Sequence, residues 1–308
     1  NYAASVEYLV FEPGISNLRH KPTSNPMTRL CCALALFFMS IGALAQTLKK
    51  EDVEQLKFRH IGPIGNRVSC AVGVPGNELV YYAGAATGGI WKTVDGGLNW
   101  RPVFDDKPVH AIGALAVAPS DVQVVYAGTG ESFIRSNVSI GNGVWKSTDA
   151  GETWNNIGLE NAGRVSRIIV HPTNPDVVYV CAVGHAYAPQ KERGVWRTMD
   201  GGKTWKQVLF VDENTGASDL VMDPSNPRML IAGMWQLSLR TWNRTSGGPG
   251  SGLYASTDGG ETWNKLKDGG LPQQPVGKIA LAMTAANPDR VYALIETGDG
   301  IEKLGEKA

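Results

Sequence analysis

The sequence predicts an all-β protein, a β-propeller of four-stranded antiparallel blades with about four and a half blades present. The first observation is an eight-residue motif, [ST]-x-D-x-G-x-x-W, which occurs four times. The second is its spacing, because the four motif tryptophans are 54, 51 and 58 residues apart. The third is alternation: large apolar residues occupy every second position of the strand that opens each unit, as at Ile168 and Val170. That period of two is typical of a strand and excludes a helical solenoid.

The motif itself predicts a tight turn between two strands. Ser or Thr and Asp can bond backbone N–H groups a few positions on, Gly accepts a positive φ, and Trp anchors the next strand by burying its ring. Four near-identical sites in one chain cannot all be an active centre. We therefore expect the motif residues to be structural, namely Asp95, Trp100, Asp149, Trp154, Asp200, Trp205, Asp258 and Trp263.

Each predicted blade repeats one order of elements: an apolar strand ending near proline, a turn, a second strand, a Trp or Tyr strand, the motif and a fourth strand. Arg167 and Asp219 occupy equivalent positions of consecutive first strands, so we expect them to form a salt bridge. The fifth unit has no motif after Ile301. Since a closed ring needs every edge strand paired, we expect an incomplete ring from a longer protein, whose remaining blades would be its partners.

The amino-terminal part is predicted to lie outside the propeller. Residues 27–45 combine one basic residue with a run of about 16 apolar residues and end in Ala43-Leu44-Ala45, the pattern of a secretory signal peptide. We expect cleavage before Gln46, a secreted or periplasmic protein, and no membrane span after cleavage. Residues 1–26 are interpreted as non-native or disordered. Residues 46–66 lead into the blades, which occupy residues 67–308 with the fifth blade truncated.

The charge and the cysteine content give no support for a nucleic-acid partner, a disulfide, a metal or a cofactor. The formal net charge is zero, so nothing favours nucleic acid as a partner. The mature part keeps Cys70 and Cys181, which lie in different repeats and are expected to be free thiols. No residue spacing favours a metal site or a cofactor, and we predict neither.

The connection between the second and third strands varies in length from blade to blade, and long loops on a rigid scaffold are where binding residues usually lie. Aromatic rings beside carboxylates suit a carbohydrate, and glycosidases use paired Asp or Glu residues. The candidates for catalysis are Glu131, Asp105 and Asp106, and the candidates for ligand binding are Arg135, His185, Tyr187, Trp235, Arg240 and Trp242. A solvated rim with partly buried aromatic residues is the alternative for each of them.

The motif resembles the Asp-box, or BNR repeat, of sialidases, sortilin-like receptors and several propeller glycoside hydrolases. The stretches Phe58 to Pro63, Gly88 to Lys92, Gly128 to Glu131 and His171 to Asp176 are similar to the amino-terminal propeller of exported bacterial proteins described as sortilin-like or BNR-repeat glycosyl hydrolases. The resemblance covers about residues 48–300 and implies that the Asp-boxes lie away from the active face.

Two enzyme groups within this resemblance can be compared residue by residue. Phe58-Arg59-His60-Ile61 departs from the Phe/Tyr-Arg-Ile-Pro motif of sialidases, so the chain is not a typical sialidase. Ala86 stands where xyloglucan-cleaving propellers place a catalytic Asp. Our hypothesis is an exported propeller that binds a carbohydrate or an extended peptide on its loop face in a sortilin-like manner. The alternative is a glycoside hydrolase that uses paired carboxylates on the same face.

Overall fold

The structure is a computed structural model that describes residues 6–11, 62, 67–134, 138–272 and 276–297. Twenty strands and one short 3₁₀ helix, η1 (Glu160–Ala162), lie in these ranges. The strands form five antiparallel sheets, and nearly every sheet keeps the order of its strands along the chain. The chain is therefore a β-propeller, as the repeats predict, with each sheet as one blade.

The strand bounds follow the repeats. Blade 1 contains β2 (Val68–Val74), β3 (Asn77–Ala85), β4 (Ile90–Thr93) and β5 (Arg101–Pro102). Blade 2 contains β6 (Ile112–Ala118), β7 (Asp121–Thr129), β8 (Val144–Ser147) and β9 (Asn155–Asn156). Blade 3 contains β10 (Val165–His171), β11 (Asn174–Ala182), β12 (Gly194–Thr198) and β13 (Lys206–Leu209). Blade 4 contains β14 (Thr215–Met222), β15 (Leu230–Arg240), β16 (Asn243–Ser246), β17 (Gly252–Ser256) and β18 (Asn264–Lys265). Blade 5 contains β19 (Val276–Thr284), β20 (Asn287–Thr297) and β1 (Val6–Phe11).

The hydrophobic core lies between neighbouring sheets. One cluster joins Ala116 and Tyr126 of blade 2 to Ile168 and Val180 of blade 3. Tyrosines on the second strands add a polar contact to the next blade: the hydroxyl of Tyr82 donates to the carbonyl of Ala150 at 2.6 Å. Tyr126 and Tyr179 make the corresponding bonds to Pro175 and Gly259. Burying these rings with their hydroxyl groups satisfied fixes blades 1, 2 and 3 each against the next one.

A β-bulge interrupts the first strand of every blade. The register shifts between Val68 and Cys70 in blade 1 and at the equivalent place in the other four. In three blades the residue inside the bulge is a serine whose hydroxyl lies between two carbonyls, one of its own blade and one of the next. Ser166, for example, lies 3.3 Å from the carbonyl of Cys181 and 2.7 Å from that of Ala217. These bulges line the centre of the propeller.

The four Asp-box turns share one pattern of hydrogen bonds around the Ser or Thr and the Asp. In blade 2, the hydroxyl of Ser147 donates to Asp149 at 2.7 Å and accepts the N–H of Gly151 at 2.8 Å. Asp149 also accepts the N–H and the hydroxyl of Thr153, at 2.8 and 2.6 Å. Trp154 is buried and donates to the carbonyl of Gly151 at 3.1 Å. In blade 3 the ring differs, since Trp205 donates instead to the carbonyl of Ile157 in blade 2.

These bonds predict acid sensitivity of the fold. Hydrogen bonds from Thr153, first from its hydroxyl, lower the pKa of Asp149 from 3.8 to about 2, and Thr204 does the same for Asp200. A depressed carboxyl pKa contributes stability that is present above the unfolded pKa and is lost as the pH falls through the folded one. We therefore expect the melting temperature to fall between about pH 4 and pH 2.

Asp149→Asn tests the source of this effect. The variant should melt below the parent at pH 7, and the difference should shrink towards pH 2, as thermal melts at several pH values would show. Asp268→Asn is the matched control, because Asp268 is exposed and outside any box. An Asp149→Asn difference that stays constant from pH 7 to pH 2 would contradict the assignment.

The amino-terminal part of the chain is described only in part. Val6–Phe11 falls within residues 1–26, which are predicted to be non-native or disordered, and it forms β1 and pairs antiparallel with β20. The run is rich in β-branched and aromatic residues, and β20, which pairs with β19 on one side, offers it the other edge. The predicted signal peptide, residues 27–45, lies outside the described residues, as does the segment 46–66 apart from Gly62.

The free thiols are confirmed. Neither Cys70 nor Cys181 forms a disulfide, and burial raises the pKa of Cys70 to about 12. No helix among the described residues has the length and apolar character needed to cross a bilayer.

Candidate functional site

The longest connection between a second and a third strand of a blade, in blade 4, contains a β-hairpin. β15 continues to Arg240, turns at Thr241 and Trp242, and pairs with β16. The extended part of β15 buries one of its faces. Leu237 and Leu239 point to that face and are buried, whereas Ser238 between them is partly exposed. Trp242 at the tip has 81% of its surface exposed.

The connection between β11 and β12, residues 183–193, packs against the base of this hairpin. The N–H of Leu239 donates to the carbonyl of Ala186 at 3.0 Å, and the N–H of Gln190 donates to that of Glu213 at 2.8 Å. Val183, Ala186 and Leu237 are buried in one apolar cluster with the ring of Trp235. Two connections of neighbouring blades are thereby joined.

Arg193 holds this arrangement together from the inside. Only 1% of its surface is exposed. Nη1 donates to the carbonyls of Asn214 and Leu237 at 2.6 and 3.1 Å, and Nη2 donates to those of His185 and Ala188 at 2.6 and 3.1 Å. Burial lowers the pKa of Arg193 to about 10, so it is still charged at neutral pH. One cation thus satisfies carbonyls from three separate segments.

A cavity of about 230 Å³ lies where these segments meet, and we call it the loop pocket. Its lining residues are Ala186, Tyr187, Ala188, Pro189, Arg193, Asn214, Leu237, Ser238 and Arg240. Tyr187 is 57% exposed and Arg240 is also exposed, so both are accessible to a ligand. An aromatic ring, a proline and a guanidinium around one concavity form the mixture of flat apolar and polar surface that small-molecule sites use.

The predicted binding residues divide into three groups. Tyr187 and Arg240 line the loop pocket, whereas Trp242 lies at the hairpin tip and does not line it. Trp235 is buried, and its indole N–H donates to the hydroxyl of Ser246 at 2.9 Å. Trp235 therefore packs in the core and presents no open face.

His185 and Arg135 complete the set. The backbone N–H of His185 donates to the side-chain oxygen of Gln190 at 2.7 Å. Burial, followed by the charge of Arg164, lowers the pKa of the His185 imidazole. Arg135 lies outside the described residues. Arg193 is not among the candidates predicted from the sequence, where its only signal is its position directly before the Gly194-Val195-Trp196 strand.

The three candidate carboxylates have different environments. Glu131 is fully buried and forms a salt bridge with Arg67. Asp105 and Asp106 lie on the exposed link between β5 and β6, and a hydrogen bond from Lys107 lowers the pKa of Asp106. No described cavity is lined by any of the three. Within the described residues, no group of His, Cys, Asp and Glu has the arrangement of a metal site.

The comparisons with known proteins agree with this architecture. A family model described as sortilin, neurotensin receptor 3 (Sortilin-Vps10) matches residues 142–275. A xyloglucanase of Paenibacillus sp. is 26% identical over an alignment of 276 residues, which covers 80% of this chain and 25% of the xyloglucanase. The photosystem II assembly lipoprotein Ycf48 of Nostoc sp. is 26% identical over 214 residues, 66% of this chain and 52% of that protein.

Solved structures show the same fold. The crystal structure of an ancestral GH74 enzyme is similar with a TM-score of 0.53 and 18% identity, over 72% of this chain and 28% of that enzyme. The chain thus spans about a quarter of the length of the xyloglucanase and of this enzyme. The four motifs, the blade topology and these similarities identify the chain as an Asp-box (BNR) repeat β-propeller that resembles BNR-repeat glycosyl hydrolase-like proteins.

Proposed function

We propose that this propeller binds a carbohydrate in the loop pocket. The observation that carries the proposal is that Tyr187 and Arg240, from two different connections, line one cavity. A phenol ring offers a flat apolar face to the C–H groups of a sugar, and a guanidinium donates several hydrogen bonds to hydroxyl groups. The similarity to xyloglucanases supports the carbohydrate class of ligand.

Binding without hydrolysis is the form of this function that the carboxylates favour. A glycoside hydrolase of the common type needs two carboxyl groups flanking the scissile bond. Glu131 reaches no solvent and is paired with Arg67, whereas Asp105 and Asp106 are exposed on another connection. Hydrolysis is kept as the second candidate because the xyloglucanases are similar over most of this chain.

Tyr187→Ala and Arg240→Ala are expected to weaken the binding of a xyloglucan oligosaccharide at least tenfold each, because each removes one side of the pocket. Isothermal titration calorimetry would measure the affinity. Tyr81→Ala is the matched control, since Tyr81 is a partly exposed tyrosine on β3, away from the pocket. Unchanged affinity in both pocket variants would overturn the proposed site.

The same preparations distinguish binding from hydrolysis. Incubation with xyloglucan and measurement of reducing ends is expected to show no cleavage, and Glu131→Gln should leave binding unchanged. Cleavage that disappears in Glu131→Gln would establish the hydrolase instead. Binding of an extended peptide, but of no glycan on an array, would contradict the carbohydrate class.

A further inference from the structure

A second cavity lies at the centre of the propeller, where the first strands of the blades approach one another. Its volume is about 240 Å³, and we call it the central cavity. It is lined by residues of all five blades, among them Ser69, Gly113, Arg167, Asp219 and Lys278. Ser132 and Phe133, which follow β7, also border it.

Lys278 lies in this cavity because the bulge of blade 5 is wider than the others. The register of β19 against β20 shifts from Val276 to Ile279, so Gly277 and Lys278 both fall within the bulge. Bulges re-aim side chains and are common next to functional sites. The backbone N–H of Lys278 leaves the ladder and donates to Glu296 at 2.9 Å.

The ammonium group of Lys278 lies between aromatic rings. Nζ is 4.5 Å from the ring centre of Phe133 and 5.6 Å from that of Trp235. Among the described residues, no carboxylate oxygen lies within salt-bridge distance of Nζ. Burial lowers the pKa of Lys278, against the opposing charges of Asp219 and Glu296. Rings attract a cation but accept no strong hydrogen bond from it.

The other charges near the cavity are already satisfied. Arg167 and Asp219 form the expected salt bridge, with Nε and Oδ1 3.3 Å apart. Asp219 also accepts the N–H groups of Leu220 and Leu281 at 2.9 and 2.8 Å. Glu296 accepts the hydroxyl of Ser246 at 2.7 Å in addition to the N–H of Lys278. Of the three charged lining residues, Arg167 and Asp219 therefore pair with each other, while Nζ of Lys278 forms no salt bridge with a residue that the structure describes.

We propose that the central cavity binds a sugar acid, with Lys278 pairing with its carboxylate. A partly desolvated ammonium gains most from a charged acceptor, and a carboxylate provides one. The Arg167–Asp219 pair offers a donor and an acceptor side by side, which suits sugar hydroxyls, and the half-exposed ring of Phe133 offers a flat face to the sugar ring. The volume is slightly below the range of drug-sized sites and fits a single sugar unit.

The test compares D-glucuronate with D-glucose, which differ at the carboxylate. We expect glucuronate to bind at least tenfold more tightly than glucose in calorimetric or NMR titrations of the full chain. Lys278→Met should remove that preference, whereas Lys278→Arg should keep most of it. Lys206→Met is the matched control, because Lys206 is exposed and paired with Glu261 in blade 4. Thermal melts would verify that each variant is folded.

Each outcome bears on the proposal. Equal affinity for glucuronate and glucose, or an unchanged preference in Lys278→Met, would overturn it. Tighter binding of a short peptide through its terminal carboxylate than of glucuronate would overturn the sugar-acid class. Tyr187→Ala should leave glucuronate binding intact, so loss of loop-pocket binding and loss of central binding are separate results.

Discussion

Gly113→Ala is expected to destabilise the protein by about 3 kcal/mol and to lower its melting temperature by roughly 10 °C. A Cβ at position 113 would lie 2.1 Å from the carbonyl oxygen of Val165 and 2.4 Å from that of Gly130. Both atoms are backbone, and Val165 opens the next blade. The methyl group can be accommodated only if blades 2 and 3 move apart. Thermal and urea unfolding would measure the loss.

Two controls separate this steric effect from other causes. Gly76→Ala places a Cβ in open space at a φ of +74°, so it tests backbone strain alone and should cost about 1 kcal/mol. Ser166→Ala removes the hydroxyl at the equivalent bulge of blade 3 and should also cost about 1 kcal/mol. A Gly113→Ala variant as stable as either control would show that the blades tolerate separation here.

Arg193→Ala is expected to cost about 3 kcal/mol and to abolish ligand binding in the loop pocket. The substitution removes the donor to four carbonyls, and hydrogen bonds to a charged group are the strong ones. Without Arg193, the connection of residues 183–193 loses the guanidinium that links it to the hairpin and keeps only the Leu239–Ala186 hydrogen bond and the apolar contacts. Chemical denaturation would measure stability, and limited proteolysis would detect opening of residues 183–193.

Arg193→Lys distinguishes the charge from the geometry of the guanidinium. Lysine keeps the charge but cannot span the carbonyls of Asn214 and His185 together, so we expect it to recover less than half of the lost stability. Arg240→Ala serves as the control, because Arg240 is exposed and should change binding without changing stability. Equal stability of Arg193→Ala and Arg240→Ala would contradict a structural role for Arg193.

The two cavities and the Asp-boxes differ in the hydrogen-bond and charge partners of their polar residues. The box aspartates accept hydrogen bonds within their own turns, and Thr and Ser supply the donors. Lys278, a residue of the blade 5 bulge, forms no salt bridge within the described part of the chain, and its ammonium group lies near the rings of Phe133 and Trp235. The loop pocket and the central cavity both lie where blades and their connections meet.

The local pattern of the sequence was enough to predict the blades. Strand, turn, strand and box recur at a nearly constant interval, and each box builds its hairpin from residues within eight positions of one another. The Arg167–Asp219 salt bridge could also be predicted, because equivalent positions of consecutive blades are neighbours in a propeller. Because these hydrogen bonds are short-range and the period is repeated, the rest of the chain has little influence on the fold of each hairpin.

The site depended on contacts between segments far apart in the chain. Three features follow from contacts with distant segments, which a local sequence pattern does not contain. They are the extension of β15 beyond the blade, the burial of Trp235 and the pairing of β1 with β20. Tyr187 and Arg240 share a cavity because Arg193 and a buried apolar cluster hold their two connections together. Sequence alone therefore determined the repeated hairpins, whose energy is local, while the tertiary structure decided which loop residues face one another, because burial and long-range hydrogen bonds set that choice.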